Sequence, residues 1–352
     1  MERNSPFNVS FGERPVNLIE RNEEFMMVTS IFDSPTPETK TILITGARGV
    51  GKTVLLSSIK NYYDQLSDWI VVDVNPNMDI LEQIASKIYE TGKVRKLFLK
   101  AEFNFSFNGI GLSLKGDVPV SSINVLLEKM IKILANKNMK LLITIDEIMS
   151  NQYIKVFAHT YQSFIRENYA MYLLATGLYE NVEKISSESN LTFLARAPKL
   201  YLGKLNLRAI TLSYMKIFSI SESEAIRIAK QTNGYAYGYQ LLGSILYKSE
   251  KKALDKEVLE KYDLLLDDNA YSLIWRLLSD NERKILFAMS NTNGLVKEVL
   301  EESGLTNSSL QVYKKQLVKK GIIDDSIRGK LVFVLPRFKE FVLFQYKLEE
   351  IE

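Results

Sequence analysis

Residues 41–56 read TILITGARGVGKTVLL, and the order of parts in this stretch decides the fold. A β-branched apolar run (residues 41–45) leads into a loop with three glycines. Lys52, Thr53 and the apolar start of a helix follow. This is G-x-x-x-x-G-K-[ST] set between a strand and a helix, the context that gives the pattern its meaning. A glycine-rich turn with a surface lysine would need neither flank. A polyphosphate needs a ring of donors, and successive backbone N–H groups in a tight loop supply one. Gly46 and Gly51 permit the backbone angles and keep side chains out of the way. The helix beginning near Lys52 points its partial positive end at the phosphates. The predicted cradle is therefore Gly46, Ala47, Arg48, Gly49, Val50, Gly51, Lys52, Thr53 and Val54. In it Lys52 reaches the β- and γ-phosphates and the Thr53 hydroxyl binds Mg²⁺.

The rest of the composition sets bounds. A chain of 352 residues is long for one core, so two or three domains are expected. It is 46% apolar and 25% charged, as globular proteins are. With 45 basic and 42 acidic side chains the net charge does not itself argue for nucleic acid, so any basic surface must be local. No cysteine and a single histidine, His159, exclude disulfides, thiolate or histidine-cluster metal sites and cysteine nucleophiles. The N-terminal residues show no export signal and no run is apolar enough to span a bilayer, so a cytoplasmic protein without membrane contact is expected.

Working outward from the loop, a helix is predicted before the first strand, from residues 18, 19, 25, 26, 28 and 31 at helical spacing. After the loop, helix continues to residue 65. Residues 68–75 (DWIVVDVN) form a buried strand, and residues 78–94 are helical by period. In residues 101–116 (AEFNFSFNGIGLSLKG) Phe103, Phe105 and Phe107 alternate with polar residues before Asn108-Gly109. That is a β-hairpin signal, read either as a structural excursion or as a contact element for a partner. Helix returns over residues 121–137. Residues 140–150 (KLLITIDEIMS) are a strand ending in Asp146-Glu147. A helix over 153–168 and a strand over 170–178 (AMYLLATGL) follow. Strands alternating with helices imply a mainly parallel sheet covered on both faces. Ligands bind at the carboxyl ends of such strands, so Thr45, Gly46, Asp146, Glu147 and Thr176 should converge.

From residue 205 the strand signal stops. Residues 206–218, 221–232, 235–247 and 256–266 read as consecutive helices, with Ser221 and Glu224 as a capping box. A last unit begins near residue 278. It has helices over 280–290, 295–303 and 306–320, a stop at Gly321, a two-stranded wing around a polar turn (324–330), and a closing helix over 338–346. The expected domains are residues 1–204 (α/β core), 205–277 (helical lid) and 278–352 (winged helix-turn-helix).

Several side chains carry the predicted chemistry. Asp146 is assigned to Mg²⁺ and Glu147 to general base toward the attacking water. Thr176 contacts the γ-phosphate or lytic water, or else caps the following helix. Arg196 either offers its guanidinium to a neighbouring subunit's nucleotide or forms a surface ion pair. Lys314, Lys315, Lys319 and Lys320 lie on a predicted helix without acidic residues, with Arg328 and Lys330 in the wing. That is the geometry for duplex DNA, with the helix in the major groove and the wing on the backbone. A solvated lysine face, or a winged helix that binds a protein partner, fits the same residues.

At this point the chain resembles a known group. FGERPVNLIERNEEF, GARGVGKTVLL, LLITIDEI, YLLATGL, TFLARAPKLYL, TNGYAYGYQLLG and LSDNERKIL, in that order, resemble the AAA+ ATPases of the replication-initiator-like group. The likeness is greater to the bacterial and archaeal ATP-binding proteins that border the STAND class. The resemblance implies an α/β P-loop NTPase of AAA+ type with a helical lid and a C-terminal winged helix. It implies ATP rather than GTP. It places residues 18–21, Arg21 among them, near the adenine, makes Thr176 the first sensor and Arg196 an arginine finger. Two departures stand out. The lid stretch GYAYGYQ (234–240) has no arginine and puts Tyr237 near the sensor position, and Glu20 stands where glycine is common. A nucleotide-controlled switch presenting the winged helix to DNA is the expected function. A regulatory scaffold that holds nucleotide with little turnover, and self-association, are the other expectations.

Overall fold

The computed structural model describes residues 5–10, 15–100, 123–188 and 191–349. The predicted hairpin at residues 101–116 lies outside them. The chain forms two compact units. One comprises Asn22–Thr45 and Leu55–Leu200; the other gathers Met1–Arg21, Gly46–Val54 and Tyr201–Glu352.

The first unit is a covered sheet. In chain order it contains α1 (Asn22–Phe32), β1 (Thr41–Thr45), α2 (Lys52–Gln65, its residues 52–54 counted in the other unit), β2 (Trp69–Val74), α3 (Ile80–Glu90) and α4 (Gly92–Lys100). Then come α5 (Ile123–Ala135), β3 (Lys140–Ile145), α6 (Gln152–Arg166), β4 (Met171–Gly177), α7 (Tyr179–Ser187), α8 (Thr192–Arg196) and β5 (Lys199–Tyr201, its last residue counted in the other unit). The single helix predicted over 78–94 breaks at Thr91, whose extended backbone ends α3. Strand order is β2-β3-β4-β1-β5, and the β2–β3, β3–β4 and β4–β1 pairs are parallel.

Alternation along the strands explains why helices cover both faces. Leu43, Val72, Ile143, Leu173 and Ala175 belong to one buried cluster with Ile84 and Ile88 of α3, Leu127 and Met130 of α5, and Phe157 of α6. Between those positions, the Trp69 ring packs at a tilt against Tyr63 of α2 at 4.1 Å and Tyr172 at 4.9 Å, and Tyr172 meets Phe32 of α1 at 5.1 Å. Rings at these separations are in attractive contact.

The second unit carries α9 (Leu207–Phe218), α10 (Glu222–Thr232), α11 (Ala236–Lys248), α12 (Lys256–Leu266), a π-helical turn (Asp267–Tyr271) and α13 (Ser272–Arg276). It continues with α14 (Asp280–Asn291), α15 (Val296–Ser303), α16 (Asn307–Lys319), the antiparallel pair β6 (Ile323–Asp324) and β7 (Val332–Phe333), and α17 (Phe338–Glu349). Local chemistry sets the helix limits. Asn206, Ser221 and Thr306 each accept a first-turn N–H, and Ser279 with Glu282 completes a capping box. Gly304 and Gly321 stop α15 and α16 with φ of 65° and 72°.

The centre of this unit is α11, buried continuously from Tyr237 to Leu246. The N-terminal segment is tied to it. Phe7 is 4% exposed and lies 5.7–6.0 Å from Tyr214, Phe218 and Tyr239. Gly243 makes room for it, since a Cβ there would stand 2.3 Å from the Phe7 ring. The Gln240 amide accepts from Asn8 N–H at 3.0 Å and donates to the Asn17 carbonyl at 2.9 Å.

Candidate functional site

The phosphate loop belongs to the second unit, and its backbone is fastened there by its carbonyls. Five in succession are taken by donors. The Lys52 ammonium donates to Gly46 O at 3.0 Å and Ala47 O at 2.9 Å. The Tyr235 hydroxyl donates to Arg48 O at 2.8 Å. Tyr237 N–H donates to Gly49 O at 2.9 Å. Arg21 Nη2 donates to Val50 O at 2.8 Å and to Gly203 O at 2.8 Å. Successive amides of a tight loop form the kind of backbone nest that holds an anion. The three loop glycines have φ of 150°, 76° and 95°, and for Gly49 and Gly51 these are left-handed values that favour glycine. Gly46 also lies against the Leu202 carbonyl, 2.9 Å from where its Cβ would be.

Helix α2 opens at Lys52, so its positive end follows the loop directly. Lys52 is buried, and a buried ammonium must be hydrogen-bonded or paired. Ala47 and Val50 are buried as well. Arg21, predicted near the adenine, braces the loop through Val50.

The carboxylates belong to the sheet unit. Register puts Thr45 beside Gly177 and Ile145 beside Ala175, so β1, β4 and β3 end together. Because β4 lies between the other two, Thr176 stands next to the residues that follow β3. Its hydroxyl donates to Asp146 Oδ1 and accepts from Glu147 N–H at 3.1 Å. Its carbonyl accepts Ile148 N–H at 2.7 Å. Glu147 is thereby held at φ 57°, a left-handed conformation that costs a non-glycine residue about 1 kcal/mol. Such strain persists where surrounding bonds over-determine it. Asp146 is half-buried and Glu147 exposed; both line a cleft of about 420 Å³ with Asp73, Asn75, Gln83 and Lys87. Asp73 accepts from Thr144 at 2.7 Å and from Lys60 at 2.9 Å. The capping alternative for Thr176 does not hold: α7 starts after Leu178, which makes no side-chain cap. The Thr45 hydroxyl is buried without a hydrogen-bond partner.

Arg196, at the end of α8, is exposed. In the C-terminal helices the lysine face differs from expectation. Lys314 pairs with Asp325 at 3.0 Å, and Lys320 pairs with the buried Glu282 at 2.8 Å. Lys315 and Arg328 are exposed, while Lys319 and Lys330 are half-buried. The lysine helix has no acid of its own, but acids from elsewhere in the unit reach it, which helical periodicity does not reveal. Sequence reading also missed Tyr235 and Phe7, because a tertiary contact to a backbone carbonyl, or into a gap left by a glycine, leaves no periodic trace.

Comparison with known proteins agrees with this architecture. Residues 26–178 match the family model described as the KAP family P-loop domain. Residues 268–342 match a domain of unknown function (DUF8462). No curated protein sequence matches the chain significantly. Among solved structures, the chain is similar to Cdc6p from Pyrobaculum aerophilum, with 16% identity, 98% of each chain covered and a TM-score of 0.50. It is similar to the Aeropyrum pernix ORC2 protein, solved as ADPNP-ADP complexes, with 14% identity, 98% of each chain covered and a TM-score of 0.56. The fold is that of a P-loop NTPase of the AAA+ type.

Proposed function

We propose that this chain binds an adenine nucleotide with Mg²⁺ and hydrolyses it slowly, as a nucleotide-controlled switch. The observation that carries the reading is the phosphate loop itself, with each carbonyl from Gly46 to Val50 accepting a hydrogen bond and its helix opening at Lys52. The similar Aeropyrum pernix protein was solved with ADPNP and ADP, the ligand class proposed here. The donor set also fits the metal. The Thr53 hydroxyl and the Asp146 carboxylate are hard oxygen ligands, and Mg²⁺ takes one or two of these together with phosphate oxygens. Mg²⁺ would neutralise charge developing on the transferred phosphoryl group. Glu147 is the general base, held by Thr176, and Arg196 remains the candidate to act on a neighbouring subunit's nucleotide. Replacing Glu147 with Gln should leave ATP binding intact and reduce phosphate release at least a hundredfold. Hydrolysis at the parental rate in that variant contradicts the assignment.

The three helices α14–α16 followed by β6–β7 are proposed as a winged helix, with residues 278–352 as its domain, 205–277 as the lid and 1–204 as the ATPase core. Two readings of its partner remain. Duplex DNA would use Lys315, Lys319, Arg328 and Lys330, with Lys314 released from Asp325. The ion pairs of Lys314 and Lys320 favour a protein partner instead, because they neutralise part of the cationic face. A salt titration of duplex binding separates them. The DNA reading predicts affinity that falls steeply with salt, and a shallower slope in Lys315→Glu/Arg328→Glu. No salt-dependent binding by the parent leaves the protein-partner reading.

A further inference from the structure

We propose that Tyr235 and Tyr237 position the phosphate loop for any adenine nucleotide with a β-phosphate, so that α11 reads the loop and not the γ-phosphate. This rests on the nucleotide reading given above and adds to it that the α11 contact contributes equally to ADP and ATP binding.

The contact is a fitted one. Tyr235 is the residue before α11 and its side chain does not cap that helix. Its hydroxyl goes to Arg48 O at 2.8 Å, and the first turn of α11 finds an acceptor in the loop, through Tyr237 N–H to Gly49 O at 2.9 Å. The loop thus caps the helix, and the helix fixes two consecutive peptide groups of the loop. Gly49 is shaped to this approach, since a Cβ there would lie 2.3 Å from the Tyr235 hydroxyl oxygen and 2.9 Å from Tyr237 Cβ. Tyr235 has no room to turn away. It is 2% exposed, and its ring meets Gly238 where Tyr262 and Pro336 also converge.

The chemistry of the donors makes that contribution equal. A phenol and a backbone N–H are neutral, and both are bound to carbonyls whose number does not change with the number of phosphates. An arginine aimed at the γ-phosphate would gain a charge-assisted bond only with the triphosphate. Residues 234–240 read GYAYGYQ and contain no cation. Burial pushes the Tyr235 phenol far above its ordinary range, so it remains a protonated donor at every pH at which the protein is handled.

The test is calorimetric titration of the whole chain, parent and Tyr235→Phe, with Mg²⁺ and one of three ligands: ADP, a non-hydrolysable ATP analogue, or pyrophosphate. Tyr235→Phe keeps the ring and removes one hydrogen bond, so all three ligands should weaken by a common factor of about ten. Loss on pyrophosphate is the readout that places the effect on the loop rather than on the adenine end. A Tyr235→Phe loss on the analogue more than about threefold larger than that on ADP overturns the inference and leaves nucleotide binding standing. Unchanged affinities in Tyr235→Phe overturn the positioning role. Failure of the parent to bind any of the three removes the nucleotide reading itself, and this inference with it.

Discussion

Thr176 joins a carboxylate and a strained backbone through one hydroxyl. The hydroxyl donates a hydrogen bond to Asp146 and accepts the Glu147 N–H, so it holds two adjacent acidic residues at once. Asp146 is fixed by a side-chain bond and Glu147 by its own backbone, leaving the Glu147 side chain exposed. Asp267 illustrates a second residue-level effect. Burial raises its carboxyl to about 7, helped by Asp263 and Asp268 and opposed by Arg337. Arg337 is engaged in an ion pair with Asp263. The sign follows from proton counts. Between the unfolded value of about 4 and 7 the native chain holds a proton on Asp267 that the unfolded chain has lost, so this group lowers stability as pH rises through that window. Partial exposure limits the effect to about 1 kcal/mol. Thermal melts of parent and Asp267→Asn should show the variant gaining at pH 8 and matching the parent near pH 5. An advantage for the variant that is independent of pH contradicts the assignment.

At the scale of elements, the parts with strong local signals were legible. The run TILIT, the glycines that follow and the apolar run LLITI predict β1, the loop and β3 within a residue. The capping residue Ser221 marks α10 in the same way. Full burial erases periodicity elsewhere. Along α11, with both sides covered, nothing in GYAYGYQLLG separates the face that meets the loop from the face that meets Phe7. The short elements α7, α8 and β5 escape because nine residues or fewer give too little pattern. The π-helical turn Asp267–Tyr271 escapes because its sequence, DDNAY, reads as a linker. Its Tyr271 is nonetheless fully buried and bonded to the Pro336 carbonyl, a long-range contact that no window of sequence contains.

For the whole molecule, the organising fact is that compactness does not follow chain order. Nine residues of the phosphate loop and the N-terminal segment pack with the C-terminal helices, while the carboxylates pack with the sheet. The proposed boundaries at 204 and 277 follow the chain, whereas these units gather residues distant in sequence, because Phe7, Arg21 and Tyr235 make their contacts across long separations. No helix among the described residues is long and apolar enough to cross a membrane. The account stands on the loop as a polyphosphate site. The most direct measurement is calorimetric titration of the parent and of Lys52→Ala with ATP, with and without Mg²⁺. We predict saturable Mg²⁺-dependent binding by the parent and a loss of at least a hundredfold in affinity for the variant. Equal affinity in both proteins, or no binding by the parent, would contradict it.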